Sequence, residues 1–236
     1  YHEELLRRVE SSPDRWFRLD SERMYKRVRG RLAGLLNARV ENVVPVTNAT
    51  LAANCVLKSQ GFGSDDIIMV LEFGYPAFNN AAHASCERYS CRCLTIHIDF
   101  PITCRKQVTD AIRAFLDKTP DHRRRLLVVD HISSSPGIEL PVKDIVEVCH
   151  KRNVLVFVDG AHAIGQIDID VGELGCDYYT TNCHKWLYGP KGCALLWAKN
   201  HKGLTSVITG HGWHGSYFDR FWMQGTRDLV PFFAVE

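Results

Sequence analysis

The feature that most restricts this chain is a repeated change of period. Short apolar or β-branched runs alternate with stretches whose apolar residues recur at helical spacing. The runs are VVPV (43–46), IIMVL (67–71), CLTIHI (93–98), LLVVDHI (126–132), VLVFVD (154–159), YYTT (178–181) and CALLWA (193–198). Between most of them lie amphipathic segments: TLAANCVLKSQ, YPAFNNAAHASCERY, KQVTDAIRAFLD and VKDIVEVCHKR. A strand that is apolar at every position is covered on both faces, and strands joined through helices run parallel. The pattern predicts an α/β fold, a mainly parallel sheet sandwiched by helices.

Ahead of the first strand, YHEELLRRVE and SERMYKRVRGRLAGLLN read as helices, with Asp20 as the N-cap of the second and Asn37 near its end. The texture changes there, which divides the chain into an N-terminal helical segment, 1–40, and a larger domain, 41–236.

Composition removes several classes of function. With 236 residues and 45% hydrophobic content the chain can bury a sizeable core. It has no apolar run approaching the ~20 residues of a membrane-spanning helix. Twenty-nine basic against 27 acidic residues leave a net charge of +2, and the one dense basic cluster, Arg123–Arg125, reads as a solvated loop. A nucleic-acid groove needs a basic face with interleaved aromatics, so nucleic acid is not an expected partner. The nine cysteines are odd in number and scattered. Cys91 and Cys93 alternate onto one strand face without the spacing of a zinc knuckle or redox pair. They read as mostly buried thiols in a reducing compartment, the cytoplasm. The chain starts at Tyr1 and stops in FFAVE without a turn or cap, so both ends read as cut, and a targeting segment upstream is compatible with that.

In parallel sheets of this kind ligands bind beyond the carboxyl ends of the strands. The run VLVFV ends in Asp159, a carboxylate held by the sheet at that edge. After VVPV, Thr47-Asn48-Ala49-Thr50 leads into a helix whose N-terminus offers backbone N–H groups to a phosphate, or is an ordinary cap. After YYTT comes Asn182-Cys183-His184-Lys185-Trp186. A lysine beside a histidine and an aromatic ring is either a desolvated nucleophile of lowered pKa or a surface lysine in a turn. Gln224-Gly225-Thr226-Arg227-Asp228 is a polar loop after an aromatic patch. An anion cradle, a strand-end acid and a nucleophilic amine are the three things pyridoxal phosphate requires: a seat for its phosphate, a partner for its pyridinium nitrogen and an amine for its aldehyde.

The ordered set Asp130-His131, Pro141-Val142, Val158-Asp159-Gly160-Ala161-His162, His184-Lys185, Gly189-Pro190-Lys191-Gly192 and Gly225-Thr226-Arg227-Asp228 resembles the class V aminotransferase family of fold-type I pyridoxal-phosphate enzymes. It is most similar to the branch with isopenicillin N epimerase-like and cysteine desulfurase or desulfhydrase-like proteins. The resemblance implies that Lys185 carries the cofactor as a Schiff base and moves the proton at the substrate α-carbon. It further implies that Asp159 pairs with the pyridine nitrogen, that His162 lies near the phenolic oxygen, and that Tyr75 stacks on the ring. Ala49, Thr50 and His184 match phosphate-binding positions, as does Asn182 where some relatives carry serine. Thr226 matches a residue that reaches the neighbouring subunit's phosphate, which implies a homodimer. The resemblance also implies a small C-terminal domain, the source of the carboxylate-binding arginine, beyond the end of this chain; Arg227 is the stand-in candidate.

Spacing alone does not separate Lys185 from Lys191; the family pattern selects Lys185. His211 and His214 in HGWHG lie among glycines with no third ligand evident, so no metal site is expected. Transamination, racemisation and β-elimination from an amino acid all remain open. A different class of reading is a non-catalytic fragment that binds the cofactor or a partner protein without turnover.

Overall fold

A computed structural model describes residues 1–120 and 124–235. The seven strands β1 (Val43–Val46), β2 (Ile67–Leu71), β3 (Arg92–Ile96), β4 (Arg125–Asp130), β5 (Leu155–Asp159), β6 (Tyr178–Asn182) and β7 (Ala194–Ala198) form one sheet in the order β1-β7-β6-β5-β4-β2-β3. From β3 to β6 all pairings are parallel, whereas β7 runs antiparallel to both β6 and β1. The seven apolar runs are these seven strands, with ends shifted by one or two residues.

The period-2 alternation of side chains sorts each strand into two cores. Ile67, Met69 and Leu71 of β2, Leu127 and Val129 of β4, and Val156 and Val158 of β5 point to one face. Ile68, Val70, Leu126, Val128 and Phe157 point to the other. The first face is covered by α1 (His2–Ser11), a short α2 (Pro13–Arg15) leading through a wider π turn (Trp16–Asp20) into α3 (Ser21–Gly34), and by two of the crossover helices described next. The crossovers are α4 (Ala49–Ser59), α5 (Pro76–Tyr89), α6 (Arg105–Lys118), α7 (Val142–His150) and α8 (Val171–Leu174), and the chain ends in α9 (Tyr217–Trp222) and α10 (Val230–Phe233). α6, α7 and α10 lie on the first face, α4 and α5 on the second. Phe157 illustrates the second core: fully buried, it packs on Phe78 and Tyr178 with ring centres 5.6 and 6.1 Å away. Burial of such a side chain contributes about 2–3 kcal/mol and fixes the start of α5 over β5.

The N-terminal helices share the first core, where Leu5, Val9, Trp16, Tyr25, Val28 and Leu32 join sheet residues in one cluster. Asp20 differs from its expected role. Its backbone is helical and its side chain makes no capping bond, because the π turn runs straight into α3 and leaves no orphan N–H groups there. Its carboxylate instead lies 3.5–3.7 Å from Arg8, Arg15 and Arg23. Asn37 adopts a left-handed conformation just beyond α3, as a helix stop does.

The basic cluster also departs from a solvated loop. Arg123 lies outside the described residues, but Arg124 donates to the carbonyl of Gln60, and Arg125 opens β4, buried, donating to the carbonyl of Arg152. Both guanidiniums serve as carbonyl partners at the amino edge of the sheet. Six of the nine cysteines are buried and all are free. No helix among the described residues is long and apolar enough to cross a membrane.

Candidate active site

The parallel register of β4 and β5 sets Asp130 opposite Asp159 at the carboxyl edge of the sheet. Both side chains are buried, 4% and 3% exposed. Asp159 Oδ1 accepts the Ala161 N–H at 2.9 Å. Burial nevertheless pushes the Asp159 carboxyl up to about 6, with the Ala161 N–H and the nearby Lys185 holding it back. Burial pushes Asp130 further, to about 7, and the adjacent Asp159 charge adds to the rise; the Tyr75 N–H moderates it. The turn after Asp159 requires glycine, since a Cβ on Gly160 would lie 2.2 Å from the Tyr179 hydroxyl.

At the end of β6 the chain turns, with the Lys185 N–H bonded to the carbonyl of Asn182 at 3.2 Å, and brings Lys185 back over the strand ends. Its Nζ lies 3.0 Å from His162 Nε2 and 5.5 Å from the centre of the Tyr75 ring. Burial lowers the lysine's pKa; Asp159 and Asp130 oppose that. Burial, then the lysine charge, lowers His162 as well. The other ring nitrogen of His162, Nδ1, accepts the Trp186 indole N–H at 3.1 Å. Lys191, the rival lysine, is exposed and lies in the following Gly-Pro-Lys-Gly turn.

The anion end is more particular than the sequence suggested. Asn48 caps α4, its Oδ1 accepting the Leu51 N–H at 2.8 Å. The Ala49 N–H is already taken by Asn182 Oδ1 at 2.9 Å, a buried bond that ties β6 to the helix start. That bond occupies the N–H assigned to phosphate. Thr50 stands at the second helical position, where N–H groups lack intrahelical acceptors, and remains the donor suited to an anion. His184 Nδ1 donates to the Cys193 carbonyl at 2.8 Å, so its outward Nε2 is an acceptor while the ring is neutral. Burial, the largest influence, keeps His184 below the usual imidazole value; the nearby Lys185 and Lys191 charges lower it too. It donates to an anion only when protonated.

Thr226 is not brought to this group. It is exposed and lines an open cleft of about 990 Å³ with Phe17, His211, His214 and Trp222. Among the described residues no group of three or more metal-ligating side chains gathers, there or elsewhere.

Two residues at the centre have no site role in the sequence reading. Asp130 stands in the motif set without one; only the β4–β5 register reveals that it faces Asp159. Trp186 read as an aromatic neighbour of the lysine, and its spacing from His162 along the chain carries no signal of their bond.

Known proteins resemble this chain along most of its length. Residues 11–214 match the model of the family described as aminotransferase class-V. A putative L-cysteine desulfhydrase 1 of Oryza sativa subsp. japonica is 35% identical over 219 residues, 86% of this chain and 45% of the relative. An isopenicillin N epimerase of Amycolatopsis lactamdurans is 32% identical over 228 residues, 88% of this chain and 56% of the relative. The chain thus spans about half the length of the curated relatives it matches. A solved structure of the cystine C–S lyase C-DES with its product cysteine persulfide superposes with a TM-score of 0.79 at 22% identity, over 91% of this chain and 59% of that one. With a family match across most of its length, the chain belongs to the aminotransferase class-V family.

Proposed function

We propose that this chain carries the cofactor half of a pyridoxal-phosphate-dependent enzyme that acts at the α-carbon of an amino acid. The observation that carries the reading is the convergence, at one sheet edge, of a half-buried lysine of lowered pKa, a histidine 3.0 Å away and a buried carboxylate from the adjoining strand end. The residues fit the cofactor: Asp159 is a fixed acid for a pyridinium nitrogen, Tyr75 a part-exposed ring for its face, and Thr50 and the α4 N-terminus a seat for phosphate. When bound, the cofactor's ring accepts the electrons released as a bond to the α-carbon breaks.

Each protein group then has a definable task. Lys185 would supply the amine that holds the cofactor and the base that takes and returns the proton at the α-carbon. Asp159, its pKa raised by burial, would pair with the ring nitrogen and would favour its protonated form. His162, beside the lysine, would offer its ring N–H to the cofactor's phenolic oxygen. Asn182 keeps α4 registered on β6, and His184 supports the phosphate in its protonated form.

Cysteine and related sulfur amino acids are the proposed substrate class, with epimerisation and transamination as the competing outcomes at the same carbon. Thr226, remote from its own Lys185 and exposed, suits a phosphate contact in trans across a homodimer. Free thiols suit a reducing compartment, the cytoplasm. The deciding experiment is the visible absorption spectrum of the purified chain with added pyridoxal phosphate, before and after borohydride, beside Lys185→Ala. The reading expects a band that borohydride fixes in the native chain and that Lys185→Ala lacks. No band, or the same band in the variant, overturns it.

A further inference from the structure

Trp186 is 42% exposed, yet its indole N–H is committed to His162 Nδ1 at 3.1 Å, while His162 Nε2 lies 3.0 Å from Lys185 Nζ. An indole N–H donates and never accepts. Nδ1 must therefore present a lone pair, and in a neutral imidazole the single ring proton then sits on Nε2. That proton aims at Lys185, whose nitrogen accepts a hydrogen bond only as a free amine. An ammonium at the same place sets N–H against N–H at Nε2; moving the ring proton to Nδ1 transfers the same conflict to the indole.

We propose that Trp186 is a positioning residue: by donating to Nδ1 it holds His162 as the Nε2–H tautomer, which in turn holds Lys185 as the neutral, nucleophilic amine. The purpose of this relay rests on the cofactor reading above, because a neutral amine is what an aldehyde ligand requires. The relay itself is a property of the chain alone.

The local backbone is arranged for it. Gly165, at φ +82°, passes so close to the Trp186 carbonyl that a Cβ would lie 2.3 Å from it, and Gln166 Nε2 donates to the His162 carbonyl at 2.6 Å. The groups that face Lys185 divide into two camps. Asp159 from β5 and Asp130 from β4 favour the ammonium. The Tyr75 ring, 5.5 Å from Nζ, also attracts a cation, whereas burial and the indole–imidazole relay favour the amine, and burial holds neighbouring His184 below the usual imidazole value. Burial already outweighs the two carboxylates, and the relay adds to it.

The test uses the chain without cofactor, so a failure to bind pyridoxal phosphate is read separately from a failure of the relay. Long-range proton–nitrogen spectra of ¹⁵N-histidine-labelled chain at pH 8 are expected to show His162 protonated on Nε2 and unprotonated on Nδ1. Protonation on Nδ1 overturns the proposal. In lysine-labelled chain, the Lys185 titration is followed through its Cε shift. Trp186→Phe is expected to raise its midpoint by about one pH unit, about tenfold less free amine at a fixed pH below it. Site-specific replacement of Trp186 by benzothienylalanine, which keeps the ring shape and removes the N–H, is expected to do the same, and guards against misfolding of the phenylalanine variant. An unchanged midpoint with a folded benzothienylalanine chain overturns the positioning role.

Discussion

The two edges of the sheet treat buried charge in opposite ways. At the amino edge, Asp177 and Arg125 hold backbone groups. Asp177 Oδ2 accepts the Val156 N–H at 2.8 Å and sits 3.0 Å from His150 Nε2, and Arg125 donates to the carbonyl of Arg152. These bonds fasten the starts of β4, β5 and β6. At the carboxyl edge, Asp130 and Asp159 are buried side by side and their carboxyls are driven upward rather than paired. One edge uses charge to close the structure; the other buries two carboxyls side by side, each with a backbone N–H but with its titration still pushed up. Perturbed groups concentrated at a strand-end crevice are what a working site requires, and they cost stability.

The largest expected effect follows from that cost. An unfolded aspartate titrates near 3.8, whereas Asp159 titrates near 6 in the fold and Asp130 near 7. A raised folded-state value means that the acid form is favoured by folding. The relative stability is fully present below pH 4 and is lost as pH rises through 6 and 7. Asp159→Asn, which keeps an oxygen for the Ala161 N–H, therefore should stabilise the cofactor-free chain at pH 8 by roughly 3 kcal/mol and leave it unchanged at pH 4. Asp130→Asn should act in the same direction. Because part of the Asp130 rise comes from Asp159, the double variant should gain less than the sum. Urea unfolding at pH 4, 6 and 8 measures all three, and equal gains at every pH would remove the distinction between the edges.

How much of this was legible beforehand depends on distance along the chain. The strands and crossover helices were readable because each is a local pattern of apolar residues, and Lys185, Asp159 and His184 stood in local motifs. Asp130 stood in the motif set but without a role, since its meaning comes from β4–β5 register, nearly thirty positions away in sequence. The Ala49–Asn182 bond hid for the same reason: a helix N-terminus looks open until the chain that returns to it is placed. Asp20 was misread because local pattern was trusted where a π turn carries the helix through without a break. β7 read correctly as a strand, but the short Gly-Pro-Lys-Gly link that makes it antiparallel became informative only with its partner in view.

A smaller effect of opposite sign tests the amino edge. Asp177→Ala strips the Val156 N–H of its acceptor in a fully buried position, a loss of about 1–3 kcal/mol. The buried Val156 N–H needs an acceptor at every pH, so the loss should be nearly constant between pH 6 and 8, unlike the Asp159 effect. A stability gain at pH 8 would place Asp177 with the strained carboxylates and undo the contrast. Gly165→Ala sits beside the site and is costly for a steric reason: the added Cβ meets the Trp186 carbonyl at 2.3 Å and the backbone is at φ +82°. A loss of about 1–3 kcal/mol is expected, together with a blue or red shift of Trp186 fluorescence as the indole leaves His162. An unchanged spectrum would mean that the two turns separate without disturbing the bond.

The smallest effect asks whether the carboxyl edge holds ordinary structure as well as poised charge. Asn48 accepts the Leu51 N–H at the start of α4, and Asn48→Ala should cost about 1 kcal/mol, the usual worth of such a cap. The cap and the proposed phosphate seat are separable, because the seat is proposed at Thr50, at the second helical position, and not at Asn48. The variant should therefore lose stability at every pH while its midpoint for inorganic phosphate protection, read as the rise in thermal unfolding temperature, moves little. A large loss of phosphate protection would show that Asn48 itself belongs to the anion site, and that capping and ligand binding at this edge are one function and not two.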